Sequence, residues 1–272
     1  MLEVCIDSLE SASNAIKGGA DELELCSSLV EGGLTPSPGL VVEVIKLVKS
    51  QSCVANSVTP KPKVNVMIRS RGGSDFCYSP QEMTTMLSDI EVNKSLGVDR
   101  FVFGALTDKQ GIDKTNCARI IEKALPIPVT FHRAFDLCLD PKKGIHDIVE
   151  LGFNRLLTSG KQISADKREA IELLTFLIES FGKTIEIMPG AGINCDNAHI
   201  FFEIGFKMIH SSCKRTRQLP DIGNLCMGSN IIYVTDENIV REIKKIINLY
   251  FRNARAKNVL KGALLMISNT KT

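Results

Sequence analysis

Residues 2–27 read LEVCIDSLESASNAIKGGADELELCS, and the punctuation of this stretch decides the fold. LEVCID (2–7) has strand character. Ser8 stands where a helix N-cap belongs, a helical pattern runs to Gly18, and Gly18-Gly19 supplies the stop. ELELCS (22–27) then opens a second strand. A strand, a crossover helix and a second strand in so short a span predict parallel pairing.

The same alternation continues outward from this unit. Strand-like runs recur at KVNVMIR (63–69), DRFVFGAL (99–106), PVTFHRA (128–134), FNRLLTS (153–159), TIEIMPG (184–190) and FKMIHSS (206–212). Helical patterns separate them, Pro80 suits a first helical turn, and a last helix is predicted from Asp236 to about Tyr250. Eight such units predict an α/β fold, a single (β/α)8 TIM barrel over 1–272, with its core at about 2–250 and a C-terminal tail over about 262–272. An open doubly wound sheet is the competing architecture, but its GxGxxG fingerprint after the first strand is missing. Residues 50–62, polar and Pro-containing, are expected to form a surface loop on the non-catalytic side.

Composition narrows the partners. A net charge of +2, no Trp and three Tyr argue against nucleic acid. No apolar run reaches membrane-spanning length, and the N-terminus reads as a strand rather than a signal peptide, so no membrane is expected. Nine cysteines lie at long intervals without a CxxC pair, which excludes zinc-ribbon and thioredoxin chemistry and suggests free thiols in a reducing compartment.

Alternation along the strands says what points into the barrel. It assigns inward Glu3, Cys5 and Asp7; Glu24 and Cys26; Asn65, Met67 and Arg69; Thr130 and His132; Glu186 and Met188; Met208 and His210. Barrel interiors are usually filled by branched apolar residues, so this many charges predict a site at the C-terminal mouth, or else a structural polar network. Arg69 and Arg71, beside Gly72-Gly73, could clamp a carboxylate or phosphate, although a solvated Arg71 is the plainer reading. FHRAFD (131–136) groups His132, Arg133 and Asp136, with His132 either a general acid or base or a hydrogen-bonded core residue. MPGAGI (188–193) and HSSCKRT (210–216) follow strands seven and eight, where barrels often bind phosphate, so Gly190, Gly192, Ser211 and Ser212 are candidate anion binders. Cys5 and Cys26, on adjacent strands and the same face, could share a soft metal such as Cu(I), or be small apolar fillers.

EVCIDSLESASNAIKGGADELELCSSLVEGGLTPS, VMIRSRGGSDFCYS, VFGALTDKQGIDK, PVTFHRAFD, LLTSG and MPGAGI, in this order, resemble the CutC copper homeostasis family, over residues 2 to about 250 and closer to its animal members. The resemblance implies a barrel fold, cytoplasmic and also nuclear location, and a homo-oligomer, tetramer or dimer. It also implies Cu(I) binding through two cysteines, which match Cys5 and Cys26 here. It implies no established reaction. Two functions therefore stand side by side. One is an intracellular copper-binding protein of copper homeostasis. The other is an enzyme acting on a small anionic or phosphorylated substrate, with Glu24, Arg69, His132, Arg133 and His210 as its candidate residues.

Overall fold

The computed structural model describes residues 1–50, 60–220 and 229–269, with side chains through residue 253. Most of the 50–62 segment, with Cys53, and also Cys226 lie outside the described residues. The chain alternates β1 (Leu2–Ile6), α1 (Leu9–Gly18), β2 (Glu22–Leu25), α2 (Pro38–Ser50), β3 (Lys63–Met67), α3 (Pro80–Leu96), β4 (Arg100–Phe103) and α4 (Lys114–Ala124). It continues through β5 (Val129–Phe131), α5 (Pro141–Glu150), β6 (Arg155–Thr158), α6 (Arg168–Phe181), β7 (Glu186–Pro189), α7 (Ala198–Ile204) and β8 (Ile209–Ser211). A ribbon of β9 (Lys214–Gln218) and β10 (Ile231–Thr235) and the long α8 (Glu237–Asn269) complete it.

Local chemistry sets these bounds. The Ser8 side chain accepts from Ser11 N and Gly19 closes α1 at φ 91°, a left-handed angle that suits glycine. Ser79 and Glu82 form a reciprocal capping box on α3, with Pro80 in the first turn.

The sheet runs β7-β6-β5-β4-β3-β2-β1-β8, every pairing parallel. Between β7 and β8 the seam is bridged by Ser211 Oγ, which donates to Ile193 O at 2.7 Å. The eight strands thus form a nearly closed (β/α)8 barrel, as the alternation predicts. Outward strand residues such as Val4, Leu23, Val66, Phe103, Phe131 and Ile187 join the helices in one apolar core.

Inside, the barrel is stratified. At the N-terminal end Arg155, 2% exposed, donates from Nη1 to Glu22 Oε2 at 2.8 Å and from Nε to Glu186 Oε2 at 2.6 Å. Its Nη1 also reaches Glu3 Oε2 at 3.3 Å, and the Asn65 amide ties Glu3 to Glu22. Above this floor sit two apolar groups, Cys26 with Met67 and Val102, and Leu157 with Met188 and Met208. The floor is an ion network, and the charges nearer the mouth face a cavity.

Two elements depart from the sequence reading. HSSCKRT does not continue as a loop, because Lys214–Gln218 pairs antiparallel with Ile231–Thr235. Every residue of β9 is exposed, so it carries no apolar period by which a strand is recognised. The last helix does not stop near Tyr250 but runs to Asn269, through most of the segment expected as a C-terminal tail, and 270–272 lie outside the described residues.

Candidate functional site

The C-terminal ends of the strands surround a cavity of about 590 Å³. One wall is built by β1, β2 and β8. The pleat turns Cys5, Glu24 and His210 inward, and their Sγ, carboxylate oxygen and imidazole nitrogen lie within 4.8 Å of one another. Among the described residues this is the group that could hold a metal ion. His210 Nδ1 meets Glu3 Oε1 at 2.9 Å, which leaves Nε2 facing Glu24 Oε2 at 3.6 Å. A carboxylate behind an imidazole is the arrangement that orients metal-binding histidines. Cys26 flanks the group, its thiol donating weakly to Glu24 Oε2 across 3.9 Å.

Electrostatics distinguish these side chains. Burial pushes the Glu24 carboxyl up to about 7, against the pull of His210 and with help from Glu3. Burial opposes charge on His210, yet Glu24, Cys5 and Glu3 outweigh it and hold the imidazolium well above its ordinary value. Burial and the Glu24 charge push the Cys26 thiol well up. Burial likewise works against Glu3, but His210 and Arg155 overcome it and bring the carboxyl down to about 2. Glu24 Oε1 is buried without a partner, an unused acceptor beside the sulfur and the imidazole.

The wall that continues beyond β2 comes from the ends of β3 and β5 and the loop after β3. Arg69 is buried, and its Nη1 donates to Glu31 O at 2.7 Å and Gly33 O at 3.1 Å while Nη2 donates to Gly73 O. These are carbonyls, so its charge meets dipoles and no carboxylate among the described residues. The Phe76 ring lies 4.9 Å from the guanidinium carbon and 5.0 Å from the His132 ring. His132 Nδ1 accepts from Ala134 N at 3.2 Å. Burial, then Arg69, pulls the His132 imidazole down to about 3. The ring is therefore neutral with its proton on Nε2, a buried nitrogen without a partner.

The remaining candidates take other places. Arg133 reaches the rim but is engaged, by Asp136 at 2.9 Å and Ser159 Oγ at 3.0 Å. Arg71 is not a second clamp arm, since it meets Asp75 through two nitrogens and Glu82 through Nε. Gly192, Ser211 and Ser212 line the cavity; Gly190 does not, and a Cβ there would meet Leu157 Cδ1 at 2.6 Å. That glycine permits close packing rather than an anion cradle. Glu22, Arg155, Phe76 and the ribbon's Lys214, Tyr233 and Thr235 were not singled out from sequence. Extending the inward set Glu24 and Cys26 back by two residues would have found Glu22, and the pleat of FNRLLTS would have found Arg155. Phe76 stands on a loop, where no period applies.

The CutC family model matches residues 1–215. The chain belongs to the CutC family. This family member is 42% identical to the copper homeostasis protein cutC homolog of Homo sapiens over 96% of its own length and 90% of that protein. It is 40% identical to a CutC family protein of Pasteurella multocida, covering 92% of this chain and 99% of that one. The solved CutC structure from Streptococcus agalactiae superposes with a TM-score of 0.69 at 32% identity, over 78% of this CutC chain and 98% of the other. Among the described residues no helix is long and apolar enough to cross a membrane.

Proposed function

We propose that this protein handles Cu(I) at the barrel mouth, held by the Cys5 sulfur and the His210 imidazole, with Cys26 as the second thiol. Membership in the CutC family supports a role in copper homeostasis. The observation that carries the site is the convergence of Cys5, Glu24 and His210 within 4.8 Å. Donor chemistry suits the ion, since Cu(I) favours sulfur and imidazole over hard oxygen. Glu3 orients the imidazole, and Glu24 is placed to take a proton from the Cys26 thiol or from the His210 imidazolium, each of which must lose one before it can bind metal. Seven described cysteines are free thiols, in keeping with the cytoplasmic and nuclear setting that the family implies, and the family also implies a homo-oligomer. Anaerobic Cu(I) titration against a competing chelator tests the reading. The Cys5→Ser, Cys26→Ser double variant is expected to lose tight binding, and binding equal to wild type would refute the assignment.

A second reading has its own support. A copper carrier has no need of a buried guanidinium without a counter-charge, yet Arg69 lines the cavity in that state, beside the unpartnered Nε2 of His132. These residues favour a small anionic substrate, acted on by Glu24 or His210 as proton carrier. Stabilisation of the fold by members of a broad anion panel, phosphorylated metabolites included, is the outcome this reading expects. A flat response across the panel counts against it.

A further inference from the structure

Three features of the wall formed by β3, β5 and the loop after β3 belong together. Arg69 brings a full positive charge that meets carbonyl oxygens and, among the described residues, no carboxylate. His132 brings a neutral N–H, because its other nitrogen is committed to Ala134 N and Nε2 has no partner. Phe76 packs on both the Arg69 guanidinium and the His132 ring, and it does so with φ at 52°, a left-handed angle that a bulky residue adopts only at a cost. All three line the same cavity.

We propose that Arg69 and the Nε2–H of His132 form a binding site for the carboxylate group of a small organic acid, whose remaining atoms lie on Phe76 and Met67 and point toward Cys5 and Glu24. The proposal rests on the small-anion reading given above and names the class of anion. Charge decides between a carboxylate and a phosphate. The patch supplies one uncompensated positive charge, since Arg133 is matched by Asp136 and Arg71 by Asp75 and Glu82. Lys214 stands at the exposed rim over the Tyr233 ring, 3.9 Å from its centroid. A monoanion balances Arg69, whereas a phosphate dianion adds an unpaired negative charge to a cavity that already holds Glu24 and Asp7. The planar guanidinium and a single N–H also suit the two oxygens of one carboxylate. Burial holds His132 neutral down to about pH 3, so the donor keeps this form across the physiological range.

Ligand-observed NMR titration of the full chain with sodium pyruvate, and with inorganic phosphate as competitor, tests the proposal. Pyruvate is expected to bind saturably, and phosphate to displace it at least about tenfold less effectively, the loss of one charged contact. Two variants locate the site. His132→Asn keeps an acceptor near the Nδ1 position but removes the Nε2 donor, and pyruvate binding is expected to weaken about tenfold. His132→Gln restores a donor near Nε2 and is expected to recover most of that loss. If phosphate binds better than pyruvate with the same dependence on His132, the carboxylate assignment fails while the small-anion reading survives. If neither anion binds up to about 50 mM, both fail. Pyruvate binding unaffected by His132→Asn overturns the proposed site.

Discussion

At the residue scale, the two imidazoles at the mouth are set apart by their neighbours. His210 sits among Glu24, Cys5 and Glu3 and holds its proton, whereas burial, with Arg69 second, makes His132 surrender its own. The second case has a pH signature. The folded value near 3 lies below the ordinary 6.5, so between these limits the unfolded chain binds the extra proton and stability rises with pH. His132 therefore costs the fold nothing above about pH 6.5, and stability is lost as pH falls from there toward 3. Urea unfolding of wild type and His132→Gln should diverge by up to about 1.4 kcal/mol per pH unit across this window, wild type losing more on acidification. Parallel curves would show that the imidazole is not held neutral. Much of this site was legible in the sequence: alternation alone turned Cys5, Glu24, Arg69, His132 and His210 inward, and the structure has all five lining or flanking one cavity. What was not legible is which charges are free. Alternation turns Arg69 inward, but only tertiary partners show that it is uncompensated while Arg71 and Arg133 are matched.

At the scale of elements, α8 is held to the barrel at a glycine. A Cβ on Gly18, at the end of α1, would stand 2.5 Å from Val240 Cβ and 2.8 Å from Glu237 O. Nearby, Lys244 of α8 pairs with Asp21 at 2.6 Å, the same carboxylate that accepts from Leu2 N at the start of β1. Gly18→Ala keeps the helix but forces the two helices apart, at an expected cost of about 1–3 kcal/mol by thermal or urea unfolding. An unchanged midpoint would mean that α8 does not pack here. The sequence showed Gly18-Gly19 as a helix stop, which is the role of Gly19 with its positive φ. The reason for Gly18 was hidden, because it depends on a helix more than two hundred residues away. The ribbon was hidden for a different reason: every residue of β9 is exposed and most are charged, so hydrophobic period could not reveal that strand, and yet Lys214 of β9 with Tyr233 and Thr235 of β10 lines part of the cavity.

At the scale of the whole molecule, the barrel separates support from function along its axis. The N-terminal floor uses Arg155 to gather Glu3, Glu22 and Glu186, and Glu3 passes this order upward by orienting His210. Breaking the floor should therefore be felt both as lost stability and at the mouth. Arg155→Met strands buried carboxylates and is expected to destabilise by about 3–5 kcal/mol, while Arg155→Met combined with Glu22→Gln should cost less than the sum of the single changes. Additive costs would argue against a connected network. The eight-unit architecture was readable from the repeating alternation of strand and helix, because each unit is local. The layering inside was only half readable, because the pleat says which side chains point inward but not at what height they meet. The central claim concerns the point in that stack where Cys5, Glu24 and His210 converge. X-ray absorption at the copper edge of anaerobically loaded protein tests it most directly. Sulfur and nitrogen scatterers are expected together in wild type, with the nitrogen lost in His210→Ala and sulfur reduced in Cys5→Ser. A copper environment identical in wild type and both variants would contradict the account.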